Sequence, residues 1–380
     1  MTERGEVTGR PHLRLPREED FRAEGHDVRV AARLGVLLGV AFGLCFVTGV
    51  LSHVAQHGSW WPTRPVNLYR VTQGVHVLSG IAAVPLLLAK LWSVYPRLFV
   101  RPVLRSVGHA LERASLFVLI GAAFFQLATG MFNSAQSYPW LFRFVPTHYA
   151  VAWVAVGALL VHVAVKLPKI RDGLRRQVGR PAPGVSGLSR RGLLSASGFA
   201  ALAAVVATAG ATVPWLYRVS PLSWRASRGP QGLPINRSAT AAGVARVGAD
   251  WRLAVEWPGG RQELSRDQLA ALPQHTVRLP IACVEGWSAS AVWTGVVVAD
   301  LLAAVGAPTG RVRVESLEAV GTYRESLLLP DHVRDRLTLL ALGLNGEELS
   351  LDHGYPCRII AATRPGVLQT KWVAVLRVLP

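Results

Sequence analysis

The chain has two textures. Up to residue 217 it consists of five long runs free of charged side chains, separated by polar or basic segments. The runs are Leu34–Gln56, Val71–Ala89, one within Ala114–Phe142, one within Phe144–Val165 and one within Gly192–Tyr217. Each supplies the roughly 20 apolar residues that a membrane-spanning helix needs. Buried helices of a soluble protein are the alternative, but five such runs in succession argue against it. From Pro221 onward the runs shorten, and Pro, Gly and Trp become frequent.

In that second part, Trp251–Trp257 alternates like a strand and ends in the turn Pro258-Gly259-Gly260. Ser265–Ala271 reads as a short helix capped by Ser265. Thr276–Val284 is apolar and β-branched, a strand, and Val296–Val305 is apolar and helical. Arg311–Glu315, Ser326–Leu329, Arg358–Ala362 and Trp372–Val378 read as strands, and Asp331–Leu337 as a short helix. The pattern predicts an all-α N-terminal membrane domain, a four-helix bundle plus a fifth anchoring helix, followed by an α+β domain. The expected boundaries are a tail at 1–33, a bundle at 34–167, a basic loop with the fifth helix at 168–217, and the C-terminal domain at 218–380.

Charge changes this picture in one respect, by giving it an orientation. The net charge of +18 suggests a nucleic-acid binder until its distribution is read. Residues 217–380 carry 18 Lys/Arg against 14 Asp/Glu, so most of the excess lies between the apolar runs. That is the pattern of membrane topology, not of a phosphate-reading surface, and nucleic acid is not expected as a partner. With the N-terminus in the cytoplasm, the inner segments hold 20 Lys/Arg and the outer loops hold three, Arg64, Arg70 and Arg143. The C-terminal domain is then extracytoplasmic. Residues 1–33 show no cleavable signal pattern and are expected to be a largely disordered cytoplasmic start. Before the fifth run stands Ser189-Arg190-Arg191-Gly192-Leu193-Leu194, which looks like a twin-arginine export signal. Such signals pass folded domains, as a domain loaded with its cofactor before crossing would require. Ordinary positive-inside charge explains the same two arginines equally well.

The first candidate chemistry is in the spans. Ionisable side chains there are costly and usually functional. His53, His76, His148 and His162 fall within the first, second and fourth runs. His148 and His162 are 14 residues apart, which returns to the same helix face about 21 Å further on. Two stacked haems need that spacing, each iron taking imidazoles from facing helices. His148 is expected to pair with His76 or His53, while His162 has only His109 as a candidate partner. Residues 30–166 resemble the cytochrome b subunits of formate-dehydrogenase type, whose fourth helix carries two ligands at this spacing. The resemblance implies haem b and electron exchange with the quinone pool or a redox carrier.

The second candidate lies in the C-terminal part. Three cysteines are too few for a disulfide framework, although Cys283 and Cys357 are a possible pair outside the cytoplasm. No GxGxxG or Walker loop is present, so no nucleotide site is expected. An ordered set of motifs is present instead: Cys283-Val284-Glu285-Gly286-Trp287, Trp293-Thr294-Gly295, Leu344-Asn345-Gly346, His353-Gly354-Tyr355-Pro356-Cys357-Arg358 and Gln369-Thr370-Lys371-Trp372. A thiolate suits a soft redox metal, and Arg358 and Lys371 suit a buried phosphate.

Over roughly residues 235–380 this set resembles the molybdopterin domain of the sulfite oxidase family, which includes the catalytic subunit of the bacterial periplasmic methionine sulfoxide reductase. The resemblance implies Cys283 as the molybdenum ligand. It implies His353, Arg358, Gln369, Thr370 and Lys371 as holders of the pterin and its phosphate, with Ser316 and Asn236 as further contacts. It implies a small-molecule substrate and two-electron chemistry in a multi-pass protein of the cell membrane, surrounded by lipid. The arginine that follows the metal cysteine in sulfite oxidases has no counterpart within Val284–Ala291, which argues against sulfite. Cys357 is read as a buried strand thiol.

Overall fold

The computed structural model describes residues 23–99, 106–179, 188–223, 229–319 and 321–380. The expectation for the first 22 residues, and that for the basic stretch at 180–187, lie outside these. Among the described residues, five helices are long and apolar enough to cross a membrane. They are α1 (Val28–His57), α2 (Leu68–Val94), α3 (Val107–Ser134), α4 (Phe144–Arg175) and α5 (Arg190–Ala209). α1 packs along α2 and α4, α3 along α4, and α5 along α2.

The helices overrun the apolar runs at their charged ends. α1 begins at Val28 rather than Leu34, and α4 continues to Arg175 rather than ending near Val165. The reason is local. Asp27 caps α1 by accepting from the Arg29 N–H at 2.7 Å. The last carbonyls of α4 have no partner within their own helix, and arginines of α1 supply one. Arg33 donates to the carbonyls of Gly173 and Arg176, both at 3.0 Å, and Arg29 donates to that of Gln177 at 2.9 Å. Basic residues placed next to a span by charge topology thus also tie two helix ends together.

The C-terminal part is two sheets with short helices. The first sheet runs β2 (Gly260–Ser265), β1 (Arg252–Trp257), β10 (Val373–Leu379), β5 (Arg311–Ser316) and β6 (Glu325–Leu328). Its β1 and β10 are parallel and the other pairs antiparallel. The second runs β3 (His275–Ala282), β4 (Ser288–Val297), β7 (Leu339–Leu344) and β8 (Glu347–Glu348), with β9 (Arg358–Ile360) also paired to β7. α6 (Arg266–Ala271) starts with a capping box between Ser265 and Gln268, as its sequence predicts. α7 (Val298–Ala304) and α8 (Pro330–Arg334) complete the set. The main core buries Leu253, Val255, Val296, Leu301, Val312 and Leu376. A second core surrounds Cys283 and includes Trp287, Trp293 and Leu344.

β4 and β7 were not expected. β4 opens on small residues, Ser288-Ala289-Ser290-Ala291, and its last two residues fall in the stretch Val296–Val305 whose apolar run predicts a helix. β7 is Leu-Leu-Ala-Leu-Gly-Leu and almost wholly buried, so it shows no alternation that would mark a strand.

The two parts meet over one end of the bundle. Trp61 Nε1 donates to the Thr363 carbonyl at 2.8 Å. Arg64 makes a two-pronged contact with Asp335 at 2.5 and 2.9 Å. Ala55, Trp61 and Tyr69 of the helical part form one buried cluster with Ala282 and Leu329.

Candidate functional site: a buried thiol, a cationic pocket and a bundle cavity

β3 and β4 form a hairpin whose tip is Cys283–Trp287. The Cys283 N–H donates to the Trp287 carbonyl at 2.9 Å, and the Gly286 N–H donates to the Cys283 carbonyl at 3.0 Å. Gly286 has φ +94°, and a Cβ there would lie 2.7 Å from Val77 of α2, so the tip requires glycine twice over. Cys283 is fully buried. Burial, with the Glu285 carboxylate nearby, pushes its thiol well above the ordinary range. A metal cation on the sulfur reverses that balance and holds a thiolate.

The tip is clamped from behind by the bundle. Gln73 of α2 and Asn133 of α3 both donate side-chain N–H groups to the Val284 carbonyl, at 3.0 and 3.1 Å. Thr212, just past α5, donates to the Gly286 carbonyl at 2.8 Å. Ser288 bonds back to Ala211 and Thr212. Two amides in apolar helices converging on the residue after Cys283 were not singled out from the sequence. The signal was present, since each is an uncharged polar residue inside a span, where polar groups seek partners.

Beside the hairpin lies a group of buried cations. Arg358 is 3% exposed and donates to the carbonyls of His353 and Gln369, both at 3.1 Å, while its Nε has no partner. It lies over the Trp293 ring at 5.2 Å. Lys371 Nζ donates to the carbonyls of Arg237 at 2.6 Å and Asp352 at 2.9 Å. Arg364, which the sequence reading did not select, is buried too, donates to the Leu327 carbonyl and leaves its Nε unpartnered. Burial pulls Arg358 down to about 9, Arg364 to about 10 and Lys371 to about 7. The carboxylates at hand are already engaged: Glu318 with Arg237 at 2.6 Å, and Asp352 with the Ala239 N–H at 2.8 Å.

The remaining predicted residues line up around these. His353 is buried, and its Nε2–H donates to the Pro230 carbonyl at 2.7 Å. Burial and Arg358 hold it near about 4, so it is neutral. Gln369 donates to the Arg364 carbonyl and leaves its Oε1 free of partners. Thr370 pairs with Ser326 at 2.6 Å, and Ser316 donates to the Lys371 carbonyl at 2.7 Å. Asn236 accepts at its backbone carbonyl from Gln136, in the α3–α4 connection, at 3.0 Å. Gly354 has φ +108°, and a Cβ there would lie 3.0 Å from the Lys371 side chain, so the turn after His353 requires glycine. Cys357 lies apart, in the main core, with its sulfur 3.7 Å from the Val373 carbonyl. Cys283 and Cys357 are free, so the disulfide alternative is not realised.

Three buried cations without matching carboxylates, and two unpartnered guanidinium N–H groups among them, are costly in an empty protein. An anionic ligand with acceptor oxygens satisfies them. The donor set therefore fits a phosphate-bearing cofactor beside a thiolate metal ligand. A pH test follows. The folded, cofactor-free domain holds Lys371 near 7, against an ordinary value near 10.5, so above pH 7 the unfolded chain binds a proton that the folded one has lost. Stability of the cofactor-free protein is expected to rise between pH 7 and 9, by about 1–2 kcal/mol or a few degrees of Tm. In the loaded protein the anion restores the lysine charge and the rise should vanish. Thermal melts of the two forms over that range check it, and a flat cofactor-free profile counts against the assignment.

Behind the hairpin tip, inside the bundle, is a cavity of about 560 Å³. Its lining runs from Val284, Glu285 and Gly286 to His76 and His148. The two rings face each other with centroids 6.4 Å apart and planes at 72°. His76 Nδ1 donates to the Cys45 carbonyl at 2.9 Å. His148 Nδ1 donates to Thr129 Oγ1 at 2.9 Å, since that hydroxyl spends its own hydrogen on the Phe125 carbonyl. Both Nε2 atoms are thus left as acceptors. His53 also lines the cavity, but its ring is stacked on Tyr149 at 3.8 Å and on His57 at 4.5 Å. His162 and His109 do not line it. The structure brings His76 and His148 together and leaves the expected His162 without a second imidazole among the described residues.

Residues 241–380 match the family model of the oxidoreductase molybdopterin binding domain. The C-terminal region is thus an oxidoreductase domain of the molybdopterin-binding kind, joined to a region of long apolar helices. Its relatives include sulfite oxidases and methionine-sulfoxide reductase subunits. The chain is 31% identical over 150 residues to a mitochondrial sulfite oxidase of Drosophila melanogaster, covering 33% of this chain and 26% of that protein. It is 31% identical over 112 residues to the protein-methionine-sulfoxide reductase catalytic subunit MsrP of Xanthomonas campestris pv. campestris, covering 26% and 34%. It is also 31% identical over 110 residues to a putative protein-methionine-sulfoxide reductase subunit, YedZ1, of Azospira oryzae, covering 29% and 41%. The sulfane dehydrogenase SoxCD from Paracoccus pantotrophus aligns at 22% identity over 41% of this chain and 44% of that one, with TM-score 0.34. The chain spans between about a quarter and two fifths of the length of these curated relatives.

Proposed function

We propose that the protein is a membrane-anchored molybdopterin-dependent oxidoreductase whose C-terminal domain works outside the cytoplasm and exchanges electrons through its helical bundle. The observation that carries this is the buried Cys283 beside a group of buried cations without matching carboxylates. When bound, the molybdenum centre supplies two-electron chemistry of the oxygen-atom-transfer type. Cys283 is the residue that holds the metal, while Arg358, Arg364 and Lys371 hold the phosphate and shield it from water. His353, Gln369 and Thr370, with Ser316 and Asn236, shape the pterin pocket. Gln73 and Asn133 fix the backbone next to Cys283. His76 and His148 would hold a haem b in the cavity that ends at the same hairpin. Their rings stand 6.4 Å apart across the cavity with both Nε2 atoms left as acceptors, and they would supply the two imidazoles that a haem iron takes. The substrate is a small molecule, and the reductant or oxidant is a quinone or a carrier.

Metal and pterin analysis of the purified chain, with a reduced-minus-oxidised optical spectrum, tests the reading. Molybdenum and pterin near one per chain with a haem spectrum support it. Absence of molybdenum leaves a non-catalytic electron-transfer cytochrome, and molybdenum without haem leaves an anchored enzyme served by a soluble partner.

Export gives a separate prediction. Arg190 is partly committed to structure, with Glu24 at 3.4 Å, Asp27 at 3.5 Å and the Val178 carbonyl at 3.1 Å. Arg191 is exposed. If the pair is a twin-arginine signal, Arg191→Lys keeps charge and fold yet should hold most of the C-terminal domain in the cytoplasm. A reporter fused after Pro380 that works only outside measures this, and full activity in the variant would leave the arginines as topology charge alone.

A further inference from the structure

Three helices of the bundle repeat their own layout at a second level, farther from the C-terminal domain. On α4 the step is His148 to His162, on α2 it is His76 to Lys90, and on α1 it is Gly49 to Gly35. Each step is 14 residues, which returns to the same helix face about 21 Å along the axis. The packing repeats as well. At the first level a Cβ on Gly49 would lie 3.1 Å from His76 Cε1, and at the second a Cβ on Gly35 would lie 3.2 Å from Lys90 Nζ. Lys90 therefore sits against α1 where an axial imidazole would be expected. Its ammonium donates to the Ala31 carbonyl of α1. Lys90, Lys166 and Glu112 are the charged neighbours of His162, and Lys166 and Glu112 are themselves an ion pair. The cavity reaches Leu88 on α2 but is lined by neither Lys90 nor His162.

We propose that the bundle binds a single haem, at the His76–His148 level, and that Lys90 closes the second level by taking the place of the axial histidine. Among the described residues, the far level has neither the second imidazole nor the opening that the first has. The ammonium is instead spent on an α1 carbonyl, which a buried lysine needs when no carboxylate pairs with it. The consequence concerns the electron partner. With no redox centre in the far half, the partner, a quinol or carrier, must exchange electrons in the half of the bundle next to the C-terminal domain.

This inference rests on the haem reading above, and haem counting on the full-length detergent-solubilised chain separates the two. One haem per chain is expected. Lys90→Met and His162→Ala should leave that count and the optical spectrum unchanged. Two haems per chain in the unmodified protein would overturn the proposal, and loss of one in either variant would identify Lys90 and His162 as its ligands. No haem at all would instead sink the reading of His76 and His148. If Lys90→Met does not fold, the count in the unmodified protein with His162→Ala decides.

Discussion

Replacing Cys283 by serine is expected to give a folded protein that keeps its pterin and has lost turnover. The sulfur is the candidate protein ligand to the metal, and a hydroxyl is a harder and far less acidic donor. The pterin and its phosphate are held elsewhere, by Arg358, Arg364 and Lys371, which the substitution does not touch. The hairpin tip should survive, because its shape depends on the backbone bonds of Cys283 and on the clamp from Gln73 and Asn133. Arg358→Ala is expected to do the reverse. It leaves an anion buried without its principal partner, a loss of about 3–5 kcal/mol. That corresponds to cofactor affinity falling by roughly a hundredfold to a few thousandfold. Cys357→Ser should keep both cofactor and turnover, since that thiol packs in the main core away from the pocket. Metal and pterin content, measured beside activity for all three variants, checks the set. Full activity of Cys283→Ser, or equal losses in the two cysteine variants, would remove Cys283 from the metal.

On the proposed reading, the clamp would give the bundle a part in the chemistry that an anchor alone would not have. Val284 follows Cys283 directly, and its carbonyl takes a hydrogen bond from each of two apolar helices. The same loop closes the cavity that holds His76 and His148. Backbone and hydrogen bonds thus connect α2, which carries His76, to the residue that follows the thiol. A surface encounter between two separate partners would have to be rebuilt at each exchange, whereas here the geometry is part of the fold.

How far the sequence was legible follows from the range of each interaction. The five helices are visible because a span must be apolar along its whole length, whatever it packs against. The residues gathered round the buried cations are visible because their chemistry is written as short motifs, as in His353–Arg358 and Gln369–Trp372. What was missed depends on the partner. β7 is buried on both faces, so its leucines carry no period. Arg364 stands in an unremarkable Thr-Arg-Pro-Gly stretch and gains meaning only when folding buries it and joins it to Arg358 through Gln369. The choice between His53 and His76 could not be made along the chain. It depends on Tyr149, which stacks on His53, and on Thr129 and the Cys45 carbonyl, which engage Nδ1 of the other two rings and leave their Nε2 atoms as acceptors.

His148→Ala is expected to empty the bundle of haem while leaving the molybdenum site loaded. An iron that loses one of two axial imidazoles changes spin state or leaves. His76→Ala should behave the same way, because the two rings face one cavity from opposite helices. His53→Ala should not, since its ring is already engaged with Tyr149 and His57. A milder substitution separates ligation from packing. Thr129→Val removes the acceptor that fixes His148 in the tautomer with Nε2 free, at nearly constant volume. Loss of such a supporting bond typically weakens metal binding by about 10–100-fold. The variant should therefore bind haem weakly, with a shifted spectrum, and not lose it outright. Molybdenum content serves as the internal control for folding, because its pocket lies in the other half of the chain. An unchanged haem spectrum in both His148→Ala and His76→Ala would show that the two histidines only pack, and the electron path through the bundle would go with them.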